Sequence, residues 1–205
     1  KLDLAPERVA AAIDEVGIGF LFARNLHAAM RHVGPVRAEL KLRTVFNVLG
    51  PLTNPAGADA QVMGVYDERL LELLAKVLGA LGARHAFVVA GSDGLDELTL
   101  TGESRLAEWR EGGVHVHHIT PGRFGLSNAT RAALQGGDAA ENAAILRGVL
   151  SGESGPRRDI VLLNAAPALV AAGLATSLEE GVEQAAASID SGAAQARLDA
   201  LIAFA

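Results

Sequence analysis

The sequence predicts an α/β protein with a mostly parallel central sheet flanked by helices. Residues 60–66 and 85–90 are short, nearly continuous apolar runs, the pattern of strands buried on both faces. Between them, residues 68–81 repeat Leu70, Leu71, Leu74, Val77, Leu78 and Leu81 at helical spacing, so the three segments read as a strand–helix–strand unit with a right-handed crossover. Half of the residues are hydrophobic but only 4% are aromatic, which suits helices packed through Ala, Val and Leu.

The remaining elements follow in order. Residues 5–16 carry Pro6 near the start, Gly17 after the end, and Val9, Ile13 and Val16 on one face, which predicts a capped helix. Residues 18–22 form a continuous apolar run and predict a buried strand. Short helices are expected at 27–31 and 35–40. A further helical run at 44–49 is expected to stop at Gly50, because Pro51 and Pro55 disfavour helix before them and leave residues 52–55 as a rigid, re-aimed connection. From 98 to 119 short alternating strands with turns at Thr101-Gly-Glu and Glu111-Gly-Gly predict an antiparallel patch. Asp138-Ala-Ala-Glu141 is a capping box for a helix to about residue 150, and helices follow at 158–172, 177–191 and 193–204. There is no internal repeat and no low-complexity linker, so 205 residues predict one domain.

Composition excludes several classes. A net charge of −6 without a basic block argues against a nucleic-acid partner. No run approaches the length of a membrane span and no signal peptide opens the chain, so a cytoplasmic protein is expected. The absence of cysteine excludes disulfides and a cysteine zinc site.

Three stretches could carry chemistry. Gly91-Ser-Asp-Gly-Leu-Asp-Glu97 directly follows an apolar strand, and in open α/β sheets ligands collect at the carboxyl ends of strands. Asp96 and Glu97 offer the hard oxygens that Mg2+ takes, although the residues alone fit a solvated turn as well. Arg37 and Arg43 precede the rigid Gly50-Pro51…Pro55 turn, where a guanidinium could be presented to a small anion; a helix stop beside a solvated arginine is the plainer account. His115, His117 and His118 cluster on one segment, but no second cluster supports a metal site and they are expected to be exposed polar positions.

The segment Arg43-Thr-Val-Phe-Asn-Val-Leu-Gly-Pro-Leu-Thr-Asn-Pro-Ala56 resembles the signature of the anthranilate phosphoribosyltransferase family. So do Gly17-Ile-Gly-Phe-Leu-Phe-Ala23, Met30-Arg-His-Val-Gly-Pro-Val-Arg37, Gly64-Val-Tyr66, Asp93-Gly-Leu-Asp-Glu97 and Gly137-Asp-Ala-Ala-Glu-Asn142, in order and spacing. The resemblance implies a phosphoribosyltransferase-like large domain, of which residues 1–205 are the C-terminal part. Residues 25–54 would leave it as a helical excursion toward a small α domain. It implies transfer of the phosphoribosyl group of phosphoribosyl pyrophosphate to anthranilate in tryptophan biosynthesis. By the same resemblance, Asp96 and Glu97 hold Mg2+, Arg37 binds the anthranilate carboxylate, His27 lies near the path of the aromatic substrate, and the protein is a homodimer. The chain departs from the family pattern at Ala28, where proline commonly follows the histidine, and at Lys41, where glycine usually closes the helix. The family's Gly-Thr-Gly-Gly-Asp phosphate loop and the Lys-His-Gly-Asn stretch after it do not occur, so a fragment of this length is expected to be incomplete as an enzyme. Two alternatives are a pyrimidine nucleoside phosphorylase-like enzyme and a non-catalytic nucleic-acid-binding relative.

Overall fold

The computed structural model describes residues 3–22, 39 and 46–205. The chain divides into two units, residues 1–57 with 194–205, and residues 58–193.

In the first unit, helix α1 (Pro6–Val16) begins with proline at its first position, where no intrahelical N–H is needed. It ends at Gly17, whose φ of 86° lets its N–H return to the carbonyls of Ala12 and Ile13. Val9, Ala12 and Val16 form its buried face. Two arginines tie this unit together: Arg8 donates to the Phe204 carbonyl (2.7 Å) with its guanidinium 3.6 Å from that ring's centre, and Arg197 donates to the Val16 carbonyl (2.7 Å).

Two sequence expectations fail here. Residues 18–22 form no strand and have no ladder partner among the described residues. Ile18 and Phe20 are 47% and 58% exposed, and the Phe20 and Phe22 rings stack on each other at 6.3 Å. An apolar run states an appetite for burial; it does not supply the edge that a strand must pair with. Helix α2 (Phe46–Leu52) also runs through Gly50 and Pro51 instead of stopping. Pro51 omits one rung of the ladder, but the helix still closes two residues on, with the Thr53 N–H and hydroxyl both donating to the Leu49 carbonyl (3.1 and 2.8 Å). The re-aimed connection follows just beyond, where Asn54 accepts from the Ala56 N–H through its side chain and from the Gly57 N–H through its carbonyl. The expected helices at 27–31 and 35–40 lie outside the described residues.

The second unit is built on a four-stranded sheet in the order β1 (Ala60–Gly64), β2 (His85–Gly91), β3 (Ser104–Arg110), β4 (Gly113–Ile119). β1 and β2 are parallel, with Ala60 opposite His85 and Gly64 opposite Val89. β2–β3 and β3–β4 are antiparallel, so the parallel unit continues into the antiparallel patch expected over 98–119 and the described sheet is mixed. The reason is local: Glu111 (φ 53°) and Gly112 (φ 79°) make a two-residue turn with both centres left-handed, which joins only antiparallel strands.

Helix α3 (Leu71–Ala80) connects β1 to β2 through the expected crossover segment and buries Leu71, Leu74, Ala75 and Leu78. It covers the sheet face that carries Trp109, whose indole N–H donates to the Ala83 carbonyl (3.0 Å). After the four-residue helix α4 (Arg131–Leu134) come α5 (Ala139–Leu150), α6 (Pro156–Ala171) and α7 (Leu178–Asp190). The predicted cap at Asp138 is in place, accepting from the Glu141 N–H (2.9 Å), and Ser177 caps α7 in the same way, accepting from the Glu180 N–H (3.2 Å). α6 lies on the opposite face of the sheet from α3, where Val62, Gly64 and Val89 point. The last helix, α8 (Ala193–Phe204), carries the Arg197 and Phe204 contacts already described. No helix among the described residues is long and apolar enough to cross a membrane.

Candidate functional site

β2 is buried along six of its seven residues and ends at Gly91. The chain then turns at once: the Gly94 N–H returns to the Gly91 carbonyl (3.0 Å) and the Gly91 N–H donates to the Leu95 carbonyl (2.9 Å). This turn delivers Asp96 and Glu97, both exposed, to the carboxyl ends of the parallel strands β1 and β2. They border a hollow of about 380 Å³ shared with Val62, Gly64, Val89, Ile160, Val161 and Asn164. Sequence reasoning places the acid pair here, and the structure agrees on the position.

Asp93 does more than turn the chain. Its carboxylate accepts from the hydroxyls of Thr99 and Thr101 (both 2.9 Å) and from the Leu95 N–H (3.2 Å). Burial pulls its carboxyl upward, but these hydrogen bonds outweigh burial and hold it below the ordinary aspartate value. A charged acceptor thus braces the loop from inside.

Two further contacts fix the loop, and the sequence alone does not show either. The Asp96 backbone lies directly against Gly64, where any Cβ would collide with the Asp96 carbonyl. On the other side, Asn164 of α6 grips Leu98: its Oδ1 accepts from the Leu98 N–H (2.8 Å) and its Nδ2 donates to the Leu98 carbonyl (2.9 Å).

Glu97 is pushed above the ordinary glutamate value, first by partial burial against the hollow and then by the charge of adjacent Asp96. Among the described residues no group of three or more His, Asp or Glu side chains is arranged to hold a metal by itself.

Arg37 and His27, together with Arg43, Ala28 and Lys41, lie outside the described residues. The three histidines of β4 separate. His118 meets Glu103 at the surface (3.0 Å), His115 is exposed, and His117 is drawn into a cross-strand contact with buried Glu108 (2.8 Å). Exposure of all three, as the sequence suggests, therefore fails at His117. Its partner Glu108 sits on the neighbouring strand and shows no pattern with it in the linear chain.

Residues 1–195 match the model of a family described as glycosyl transferase family, a/b domain. The anthranilate phosphoribosyltransferase of Geobacter sulfurreducens is 59% identical over 202 residues, covering 98% of this chain and 57% of that protein. That of Symbiobacterium thermophilum is 57% identical over 203 residues, covering 99% and 60%. Among solved structures, anthranilate phosphoribosyltransferase from Thermus thermophilus superposes with a TM-score of 0.92 at 51% identity, covering 100% of this chain and 60% of that one. The Saccharomyces cerevisiae enzyme in complex with PRPP and Mg gives 0.89 at 30% identity, covering 99% and 58%. The chain thus spans about three-fifths of the length of the curated relatives it matches.

Proposed function

The chain belongs to the glycosyl transferase family whose α/β domain it matches, and on that premise we propose that the full-length protein transfers the phosphoribosyl group of phosphoribosyl pyrophosphate to the amine of anthranilate, releasing pyrophosphate. The observation that carries this reading is the braced acid pair Asp96–Glu97 at the carboxyl ends of β1 and β2, beside an open hollow. The names of the relatives support the substrates, as do solved yeast neighbours with PRPP and Mg and with 4-fluoroanthranilate. Neither alternative gains support. The solved and curated relatives described above are anthranilate phosphoribosyltransferases, and the net charge of −6 opposes nucleic acid.

The donor set fits Mg2+. That ion takes one or two carboxylates and fills its remaining positions with water and substrate phosphate, which matches two adjacent carboxylates with no group of three or more ligands among the described residues. Asp96 and Glu97 would hold it, and its chemistry there is to neutralise negative charge gathering on the departing pyrophosphate. The rest falls to positioning. An aniline nitrogen is uncharged at neutral pH, so its lone pair needs no strong base to expose it. In this reading Arg37 pairs with the anthranilate carboxylate and brings the amine in line with ribose C1, and His27 borders the path of the ring. A cytoplasmic homodimer serving tryptophan biosynthesis completes the reading, as the resemblance implies.

The test is direct. Full-length protein with phosphoribosyl pyrophosphate, anthranilate and Mg2+ is expected to form phosphoribosyl anthranilate and pyrophosphate in equal amounts. Replacing both acids (Asp96→Ala with Glu97→Ala) is expected to abolish Mg2+-dependent turnover with little loss of fold, since neither side chain is packed in the core. Phosphorolysis of pyrimidine nucleosides with no use of anthranilate would reject the reading.

A further inference from the structure

The acid pair is exposed, yet the backbone that carries it is not free to move. Leu98, the residue after Glu97, is 1% exposed, so its side chain is locked in the core. Its peptide groups are held by a side chain 66 residues further along. Asn164 on α6 accepts the Leu98 N–H at 2.8 Å and donates to the Leu98 carbonyl at 2.9 Å, while the same amide nitrogen donates to the Ile160 carbonyl one turn back (3.0 Å). An amide group gripping both polar groups of one residue imitates a neighbouring strand. Asparagine within a helix is otherwise a mild liability, and here its hydrogen bonds join α6 to the acidic loop.

On the far side of the pair, Gly64 lets the Asp96 backbone rest on β1. The two carboxylates therefore stand between a steric stop at β1 and a polar clamp from α6. Asn164 also lines the hollow that they face.

We propose that Asn164 is a positioning residue for the Asp96–Glu97 cation site: by clamping the Leu98 peptide it sets the placement of both carboxylates without touching the ion. This rests on the reading of the pair as a Mg2+ site given above. No other natural side chain of this size does the same. Leucine fills the space but leaves the Leu98 N–H and carbonyl without partners. Aspartate loses both N–H donors and turns a charge on two carbonyls. Glutamine is a methylene too long. Groups that orient a metal's direct ligands change metal affinity by about 10- to 100-fold when removed.

Mn2+ binding in the presence of phosphoribosyl pyrophosphate, read by its electron spin resonance signal on full-length protein, tests this without relying on turnover. Asn164→Leu is expected to weaken Mn2+ about ten-fold or more while the anthranilate KM moves less than about two-fold. Asn164→Ala, which cannot overpack, is expected to do the same if the leucine variant folds poorly. Leu163→Val loses a methylene from the buried face of the same helix and serves as the control for general loosening; Leu163 is 1% exposed. It is expected to leave Mn2+ binding near wild type. Unchanged Mn2+ affinity in both Asn164 variants overturns the inference, and so does an equal loss in Leu163→Val. If Asp96→Asn with Glu97→Gln binds Mn2+ as well as wild type, the reading of the cation site has failed and the inference falls with it. If that double variant loses the ion and the Asn164 variants do not, the inference alone has failed.

Discussion

Glu108 reaches from β3 to His85 on β2, with Oε1 2.8 Å from the imidazole Nε2, and both side chains are less than 10% exposed. Its second oxygen meets His117 Nε2 on β4, also at 2.8 Å, and Arg110 stands 3.7 Å from the first. Glu108 lies diagonally between the two histidines on the sheet face away from Trp109, so one carboxylate stitches three strands.

This contact predicts a pH-dependent stability. Burial pulls the Glu108 carboxyl upward, but the hydrogen bonds from His85 and His117, helped by Arg110, outweigh it and hold it below the ordinary glutamate value. A depressed carboxylate contributes stability that is complete above its unfolded-state value, about 4.3, and is lost as pH falls through the folded-state value. Glu108→Gln is expected to cost about 1–3 kcal/mol at neutral pH and to flatten the fall in Tm below about pH 4.3. Thermal melts from pH 7 to 3 check it, and parallel curves for wild type and variant would show that Glu108 contributes nothing.

Gly79 on α3 predicts a second effect. A Cβ there would land on the six-membered ring of Trp109, so the helix approaches the sheet at a contact that admits only glycine. Alanine normally favours a helix by about 0.5–1 kcal/mol over glycine, but overpacking here costs about 1–3 kcal/mol. Gly79→Ala is expected to be destabilising on balance, lowering Tm by roughly 2–6 °C. Adding Trp109→Leu should recover part of that loss, because the two residues occupy the same space. Additive losses in the double variant would show that the steric conflict is not the cause.

Gly64 offers a third test, this time of the site. Gly64→Ala places a methyl group against the Asp96 carbonyl, so the acidic loop has to shift. Displacements of about 1 Å near reacting groups can cost on the order of 100-fold. The expected result is a large loss in Mg2+-dependent use of phosphoribosyl pyrophosphate together with a lowered Tm, because the clash is with backbone that buried Leu98 anchors. Normal kinetics at all Mg2+ concentrations would mean that the loop accommodates the methyl without consequence.

These contacts mark where the sequence is readable and where it is not. The strands of residues 60–66 and 85–90, the helix between them, the Glu111-Gly112 turn and the caps at Asp138 and Ser177 all rest on local preferences, and all are found. The acid pair is legible for a related reason, since its place after β2 is enough to assign it to a strand's carboxyl end. Asn164 is illegible because its role depends on Leu98, 66 residues away, and an asparagine in α6 has no period to betray it. Glu108 and His85 likewise meet only through the strand register. The run at 18–22 misleads because burial appetite is local but strand pairing is not. Gly50-Pro51 misleads because a helix can lose one rung and still close beyond it.

The last prediction concerns Arg37, which the resemblance assigns to the anthranilate carboxylate. A planar guanidinium meets a planar carboxylate through two parallel hydrogen bonds, and a charge-assisted contact of this kind is worth roughly 1.5–3 kcal/mol, or about 10- to 100-fold. The carboxylate, ortho to the amine, makes and breaks no bond in the reaction, so the contact is present in both ground and transition states. Arg37→Ala is therefore expected to raise the anthranilate KM by that factor with a smaller change in kcat. The KM for phosphoribosyl pyrophosphate should stay nearly constant, because its phosphates are assigned to the Asp96–Glu97 side. Arg37→Lys should recover only part of the loss, since an ammonium keeps the charge but not the two-pronged geometry. Steady-state kinetics on full-length protein, with each substrate varied in turn, separates the two KM values. A rise confined to the phosphoribosyl pyrophosphate KM would move Arg37 to the phosphate side, and no rise in either would leave it a surface charge.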